Sequence, residues 1–532
     1  MAEQRFDFIV VGAGSAGSPV AARLSESGKH KVLLLEAGGE DRNPWIHVPI
    51  GYAKTFLDGR VNWKYETEPE PELNNRRIYW PRGKVLGGSS SINGLIYIRG
   101  IPSDFDHWRQ LGNEGWSYDD VLPFFRKAED QERGADDLHG KDGPLGVRDA
   151  SFRTPLSDAY IDAAQEAGLP YNPDFNGRQQ EGTGYYQLTT RGGRRCSAAR
   201  AYLKPARKRA NLTIVTQALS ERLLLEGKRV VGVRYRRGEA VETALAAREV
   251  IVCGGAINSP QLLQVSGIGP GEVLRRAGVE VAHDLPGVGR NLHDHLQVRS
   301  QYKAKGTTLN DTLGKWQHRM VAGARYALTR TGPLTIGAGL VGVFARTRPE
   351  LEDPDIQMHF IPFSTDKMGV TLHPFPGFTV TMNQSRPESR GTLEIRSADP
   401  REAPAIRPNY MTTDTDRRTV IAGLRLVRRI AEAKALAPYL LEETQPGRAV
   451  QTDDEFLDFA RQVGSSIYHP VGTCRMGHDP GAVVDPRLKV HGLEGLRVAD
   501  ASVMPTVVSG NTNAACIMIG EKCADMALSE AA

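Results

Sequence analysis

Two short apolar blocks open the chain, Phe6-Asp7-Phe8-Ile9-Val10-Val11 and Lys31-Val32-Leu33-Leu34-Leu35-Glu36. Neither alternates with polar residues, so both read as strands covered on two faces, the habit of a parallel sheet. Between them Val20, Ala21 and Leu24 share one face of a helix that ends at Ser27-Gly28. Pro19 stands early in that helix, where it removes a hydrogen bond unless it lies in the first turn. Glu249-Val250-Ile251-Val252-Cys253 is a further short buried strand, running into Gly254-Gly255. From 301 to 450 the pattern changes. Phe378-Thr379-Val380-Thr381-Met382 and Gly391-Thr392-Leu393-Glu394-Ile395-Arg396 alternate, which predicts half-exposed antiparallel strands. Val420, Ile421, Leu424, Val427 and Ile430 fall at helical spacing within 416–437. These periods predict an α/β dinucleotide-binding domain interrupted by an α+β domain with a mostly antiparallel sheet.

Composition narrows this further. At 532 residues the chain exceeds one hydrophobic core, so two closely packed domains are expected. A net charge of +4 is only mildly basic and gives no reason to expect nucleic acid as a partner. Five cysteines, odd in number and scattered, make neither a disulfide framework nor a metal-ligand cluster, and no metal is expected. They read as reduced thiols in a reducing compartment. The amino terminus enters a strand at once, without a signal-peptide pattern, and no run of eighteen apolar residues occurs. The expected location is cytoplasmic, with peripheral contact to the inner membrane left open. Segment 191–209 is rich in arginine and lysine. It reads first as a solvated basic face, and second as a surface for an anionic membrane or an electron acceptor.

The first chemistry lies between the two opening strands. Gly12-Ala13-Gly14-Ser15-Ala16-Gly17 is a G-x-G-x-x-G. Its glycines permit a tight turn, close approach to a pyrophosphate and close helix–strand packing. Glu36 ends the second strand, placed to accept hydrogen bonds from a ribose diol, with Ala37 beside it. Gly12, Gly14, Ser15, Ala16, Gly17, Glu36 and Ala37 are therefore assigned to a dinucleotide. The motif does not separate FAD from NAD.

Further along, Gly83-Lys84-Val85-Leu86-Gly87-Gly88-Ser89-Ser90-Ser91-Ile92-Asn93-Gly94 forms a second loop of small residues, followed by Tyr97, Gly100 and Asp106. A third ordered segment runs from Gly255-Ala256-Ile257-Asn258-Ser259-Pro260 to Gly267-Ile268-Gly269. Together these resemble the two signature patterns of the glucose–methanol–choline (GMC) flavoprotein oxidoreductases. Pro286-Gly287-Val288-Gly289-Arg290-Asn291-Leu292 and Leu496-Arg497-Val498-Ala499-Asp500-Ala501-Ser502 look like the same family. Within it, the chain looks most like the bacterial alcohol dehydrogenase branch, which includes choline, sorbose and polyethylene glycol dehydrogenases. The resemblance implies FAD, with Val85, Gly88, Ser89, Asn93 and Gly94 lining the flavin. It places Asp500 and Ala501 on the ribityl–phosphate portion and adds Thr512 to the cofactor set. Some choline-type oxidases carry a flavin-linked histidine just before the asparagine of the second loop. Here Ile92 occupies that place, which implies non-covalent FAD.

Alcohol oxidation removes a hydroxyl proton while hydride leaves the same carbon, and a neutral histidine suits the proton step. Ser466-Ile467-Tyr468-His469-Pro470-Val471-Gly472-Thr473 resembles the family's catalytic histidine segment. Asn511, in Ser509-Gly510-Asn511-Thr512-Asn513, matches the second member of the pair, and Asn513 is its nearest competitor. The implied activity is oxidation of an alcohol to aldehyde or ketone with His469 as base, electrons passing on to an unidentified acceptor such as a quinone. An oxygen-using oxidase and a flavin-containing hydroxynitrile lyase are the alternatives. Leu340 stands where choline- and sorbose-type relatives tend to carry glutamate, which suggests an apolar wall and an aliphatic, aryl or polyether alcohol. His359 is a second candidate for the substrate pocket. His293 and His295 flank Asp294 and are read as structure of the cofactor domain. The expected divisions are 1–155, 190–300 and 455–532 for the FAD domain, and 156–189 and 301–454 for the substrate domain.

Overall fold

In the computed structural model, which describes residues 4–366 and 371–531, the two opening blocks pair in parallel, Phe8 to Val11 against Val32 to Leu35. The strand Gln4–Val11 lies between Val32–Leu35 and the strand Ala240–Val252. Leu212–Val215 extends the sheet beyond Val32–Leu35, and Leu496–Val498 pairs with the far end of Ala240–Val252, both in parallel. Ile9, Val10, Leu33, Leu34, Val250 and Ile251 are fully enclosed, as blocks without polar alternation require. Pro19 is the third residue of the helix Gly17–Leu24. It stands in the first turn, where the missing N–H had no intrahelical partner. The helix stops at Leu24, short of the expected Ser27-Gly28.

The strand at 249–253 is longer than its apolar block suggests. It begins at Ala240, and its first half pairs antiparallel with Arg229–Arg237, which in turn pairs with Ala218–Glu226. Residues such as Glu242 and Thr243 mask this half from a search for apolar runs.

The second sheet is antiparallel throughout, in the order Leu440–Gln445, Leu296–Ala304, Gly377–Gln384, Ile356–Ile361, Val341–Ala345, Gly182–Tyr185. All eight residues of Gly377–Gln384 are buried, not half-exposed as the alternation predicts. Phe378, Val380 and Met382 join a core shared with the helix Asp414–Ala431, while Thr381 on the other face looks into a cavity. Alternation here marks core against cleft, not core against water. Asp414–Ala431 starts at a Thr413 cap that accepts from the Asp416 N–H, and it ends six residues before the expected 437. Thr392–Glu394 stands apart, in a two-stranded ladder with Ala405–Arg407.

Each sheet has its own core. The chain passes between them at the strand Leu296–Ala304, which runs across position 300, and Ser465–Ser466 pairs with the start of that strand. The segments just before Leu296 and just after Ser466 therefore meet at the junction. The basic segment 191–209 does not form one solvated face. Arg191 pairs with Asp130, Arg207 pairs with Glu40, and Arg195 is buried.

Candidate active site

A continuous cavity extends from the first glycine turn to the gap between the sheets. At one end Gly12 has φ +98°, and a Cβ on it would meet the Cys253 carbonyl oxygen at 2.5 Å. Gly88 has φ +52°, and a Cβ there would stand 2.7 Å from Gly14 Cα, so the two glycine loops touch backbone to backbone. Both loops line the cavity, with Gly12, Gly14, Ser15, Ala16, Gly88, Ser89, Asn93 and Gly94 on its wall. Glu36 and Ala37 line it too. The Glu36 carboxylate accepts from the Ala13 and Gly38 N–H groups at 2.9 and 2.8 Å, and burial pushes its pKa up to about 7. Opposite, Asp500 accepts from Gly255 N at 2.8 Å and from Ser259 Oγ, which fastens the start of the helix Gly255–Val265. Asp500, Ala501 and Thr512 also face the cavity. Side chains are small where the loops converge and an acceptor carboxylate stands at the end, so these residues fit an extended dinucleotide.

At the other end His469 and Asn511 meet. Asn511 Nδ2 lies 3.0 Å from His469 Nε2, and both line the cavity. Asn513 points elsewhere, accepting from Ser15 Oγ at 2.8 Å. The ring of His469 is further held by His295, whose Nδ1 lies 3.1 Å from His469 Nδ1. The hydrogens along this chain follow from its ends. The Ser385 carbonyl can only accept, so His295 Nε2 donates to it at 2.9 Å, leaving His295 Nδ1 without a proton. His469 Nδ1 must then carry the proton, and its Nε2 presents a lone pair to Asn511 Nδ2–H. Asn511 Oδ1 accepts in turn from Gln357 Nε2 at 3.2 Å. Burial lowers the pKa of His469 well below the ordinary value, with His295, His359 and Arg82 adding to the effect. The ring is a neutral base with its acceptor nitrogen facing the cavity.

The turn that delivers His469 is strained and braced. Tyr468 adopts φ +73°, a left-handed conformation that costs a bulky residue roughly 1–3 kcal/mol. Tyr468 N donates to Ser466 Oγ, and Arg82 Nη2 donates to the Tyr468 carbonyl. Asp294 accepts from the His469 N–H at 2.7 Å and also from Ser466 Oγ and Tyr410 Oη. His359 lies nearby on the strand Ile356–Ile361. Its Nδ1 is 3.2 Å from Thr381 Oγ1, its buried Nε2 makes no well-formed hydrogen bond although Asn511 lies close, and burial lowers its pKa to about 3.

Two family models match in sequence order. Both are described as GMC oxidoreductase, over residues 6–297 and 387–520. The chain belongs to the GMC oxidoreductase family. It is 47% identical over 525 residues to an oxygen-dependent choline dehydrogenase of Pectobacterium atrosepticum, covering 98% of this chain and 94% of the relative. An oxygen-dependent choline dehydrogenase of Rhizobium johnstonii is 46% identical over 522 residues, covering 98% and 95%. Among solved structures, pyridoxine 4-oxidase from Mesorbium loti superposes with a TM-score of 0.89 at 34% identity, covering 98% of each chain. This GMC oxidoreductase uses FAD and acts on CH–OH groups.

Three residues assigned from the sequence lie off the cavity wall. Gly17 packs the first helix against the Gly12 carbonyl, which a Cβ would meet at 1.9 Å. The Val85 side chain is buried with Ile46, Val61 and Ile92. Leu340 is buried at the head of the strand Val341–Ala345, its backbone bonded to Phe360 and Tyr186, and it is absent from the wall. Its position is core, so the apolar wall inferred from it does not stand. Arg299 does face the cavity, level with Thr381 and His359 across three neighbouring strands. The carboxylates on the wall, Glu36 and Asp500, both belong to the cofactor end.

Other residues escaped the sequence reading. The sequence reads His295 as cofactor-domain structure, yet in the fold it contacts His469. Only the pairing of Leu296 with Ser466 brings it there. His293, by contrast, is structural, bonded through Nδ1 to the Asn291 carbonyl and accepting at Nε2 from Val507 N. Arg195 was counted in a basic surface. It is buried, and its guanidinium donates to Asn93 Oδ1 at 2.6 Å, Asn93 O at 2.7 Å and Ser90 O at 3.1 Å, clamping the second glycine loop. The run of cations around it gave no sign of this.

Proposed function

We propose that His469 is the base and Asn511 the oxygen-holding group in the oxidation of a primary alcohol to an aldehyde. The single observation that carries this reading is the lone pair of a neutral His469 Nε2, turned to the cavity and 3.0 Å from Asn511 Nδ2. An alcohol oxygen that replaces this direct hydrogen bond donates its proton to Nε2 and accepts from the Asn511 amide. As the proton leaves, the amide offsets the charge growing on oxygen, and the buried surroundings strengthen that hydrogen bond. FAD, when bound, supplies the acceptor for the hydride lost from the carbinol carbon. Once protonated, the His469 ring keeps its bond to His295 through Nδ1, so its orientation survives the step. His359, which lines the same cavity and whose Nε2 makes no well-formed hydrogen bond, is placed to bind a second polar atom of the substrate.

Ile92 lines the cavity where an attachment histidine would stand, and it supports non-covalent FAD. The relatives' names point to choline as one candidate. Among the described residues the alcohol end offers no carboxylate and carries Arg299, which favours a neutral alcohol over a quaternary ammonium. The two relatives and the oxidases of similar fold make oxygen a candidate acceptor, and a quinone is the other.

The test is anaerobic. The yellow holoenzyme is expected to bleach with a primary alcohol, and His469→Ala to bind FAD yet bleach at least about a hundredfold more slowly, the scale of a lost general base. Adding oxygen or a quinone to the bleached enzyme then identifies the acceptor by which one restores the colour. No bleaching with any alcohol, alongside cleavage of a cyanohydrin, would replace this reading with a lyase.

A further inference from the structure

The helix Trp316–Thr329 presents its apolar side to the outside. It meets the protein along a narrow edge where Ala322 and Tyr326 are buried and Tyr326 Oη donates to the Gly193 carbonyl at 2.9 Å. With 3.6 residues per turn, the opposite arc carries Trp316, Met320, Val321 and Leu328, with Ala324 and Ala327 between them. The four large side chains are 62%, 65%, 68% and 85% exposed. Gln317 is the one polar residue on that arc. A surface helix ordinarily shows charge there, and clustered exposure of this kind marks a contact surface.

Charge identifies the partner. No aspartate or glutamate occurs from 312 to 349, while Lys315 and Arg319 lie at the start of the helix and Arg325 and Arg330 near its end. The positive charges of Arg330, Arg194 and Arg200 act on the Tyr326 hydroxyl, so cations also line the inner edge. Two copies packed through this face would set arginine against arginine with no carboxylate between them. An anionic lipid surface satisfies both features, since headgroup phosphates meet the cations and the acyl boundary takes the apolar side chains. Among the described residues no helix is long and apolar enough to cross a membrane, and this one needs only to lie along it.

We propose that the protein docks on anionic bilayers through this face, with Trp316, Met320, Val321 and Leu328 inserted at the headgroup level and Arg319 and Arg325 on lipid phosphates. The helix is tied to the cavity wall. A few residues beyond its end, Ile336 packs with Ile361, which lines the alcohol end. The surface stands apart from the catalytic pair, so docking is independent of the reaction assigned above.

Sedimentation of the full-length, FAD-loaded protein with vesicles decides the matter. Vesicles of phosphatidylcholine containing one part in four of phosphatidylglycerol are expected to carry the protein down at low salt, and pure phosphatidylcholine vesicles much less of it. Replacing all four side chains (Trp316→Ser, Met320→Ser, Val321→Ser, Leu328→Ser) is expected to cut binding at least about tenfold, while alcohol still bleaches the flavin at the wild-type rate. Arg319→Gln with Arg325→Gln is expected to abolish the preference for phosphatidylglycerol. Wild-type protein left in the supernatant with anionic vesicles, or undiminished binding by the serine variant, overturns the proposal. So does a wild-type dimer in solution that the serine variant turns into monomer, which would assign the face to a second copy.

Discussion

At the residue scale, the chemistry depends on which nitrogen of His469 holds the proton. His295 decides this from behind the ring, through a hydrogen bond whose direction is imposed by the Ser385 carbonyl. His295 is a positioning residue. Replacing it with leucine removes the acceptor for Nδ1–H and lets the ring adopt the other tautomer. Single-turnover bleaching is expected to slow by about tenfold or more with the FAD Kd unchanged, and His295→Gln, which restores a carbonyl acceptor, to recover part of the rate. A merely structural role would instead lower FAD binding and Tm in both variants. Glu36 supplies a second expectation. Burial raises its pKa to about 7, so the carboxylate is protonated below that pH in the cofactor-free protein and ionised above it. A ribose diol needs the ionised acceptor. FAD binding is therefore expected to weaken as pH falls from 8 to 6, by up to about tenfold per unit below 7. Titration calorimetry across that range should show the slope, and Glu36→Gln should flatten it.

At the element scale, the second glycine loop is anchored by Val85, Leu86 and Ile92 and is also gripped by a side chain from outside it. Arg195, on the short strand Arg194–Arg195, donates to the backbone and side chain of Asn93 and to Ser90 O. Deleting the guanidinium removes the donor to the buried Ser90 carbonyl, at a cost of roughly 1–3 kcal/mol, and leaves Asn93 Oδ1 with only the Leu95 N–H. Arg195→Ala is expected to retain the fold but lose FAD on gel filtration, with Arg195→Lys intermediate because one ammonium cannot bridge three oxygens at fixed geometry. Absorbance at the flavin band per mole of protein measures this directly. An unchanged flavin content in Arg195→Ala would mean that the loop holds its shape alone.

Across the whole molecule, two cores face each other over a shared cavity, and the proposed base His469 follows the short strand paired with the one that joins them. A ligand spanning that gap joins both halves. The proposed non-covalent attachment predicts that acid precipitation leaves the yellow colour in the supernatant. Free FAD at a thousand times its Kd is expected to stabilise the native state by about 4 kcal/mol and to raise the Tm of the stripped protein accordingly. Flavin remaining with the precipitate would contradict the reading of Ile92.

Residues close in sequence were enough to point to a nucleotide end. The glycine turn, its flanking strands and Glu36 are local, and each answers to sterics or hydrogen bonding within a few residues. Motif order likewise identified the family and singled out His469 and Asn511. What the chain does between those points was decided by packing. Whether Gly377–Gln384 faced water or a cleft, whether Leu340 lined the cavity, and whether Arg195 was surface or clamp all depended on partners from about twenty to more than a hundred residues away. His295 is the clearest case. Its local surroundings place it beside a structural histidine, and only the pairing of two distant strands brings its ring to the base. Hydrophobic pattern records how much of a side chain is hidden, but not from what, and the identity of that neighbour is a property of the folded chain alone.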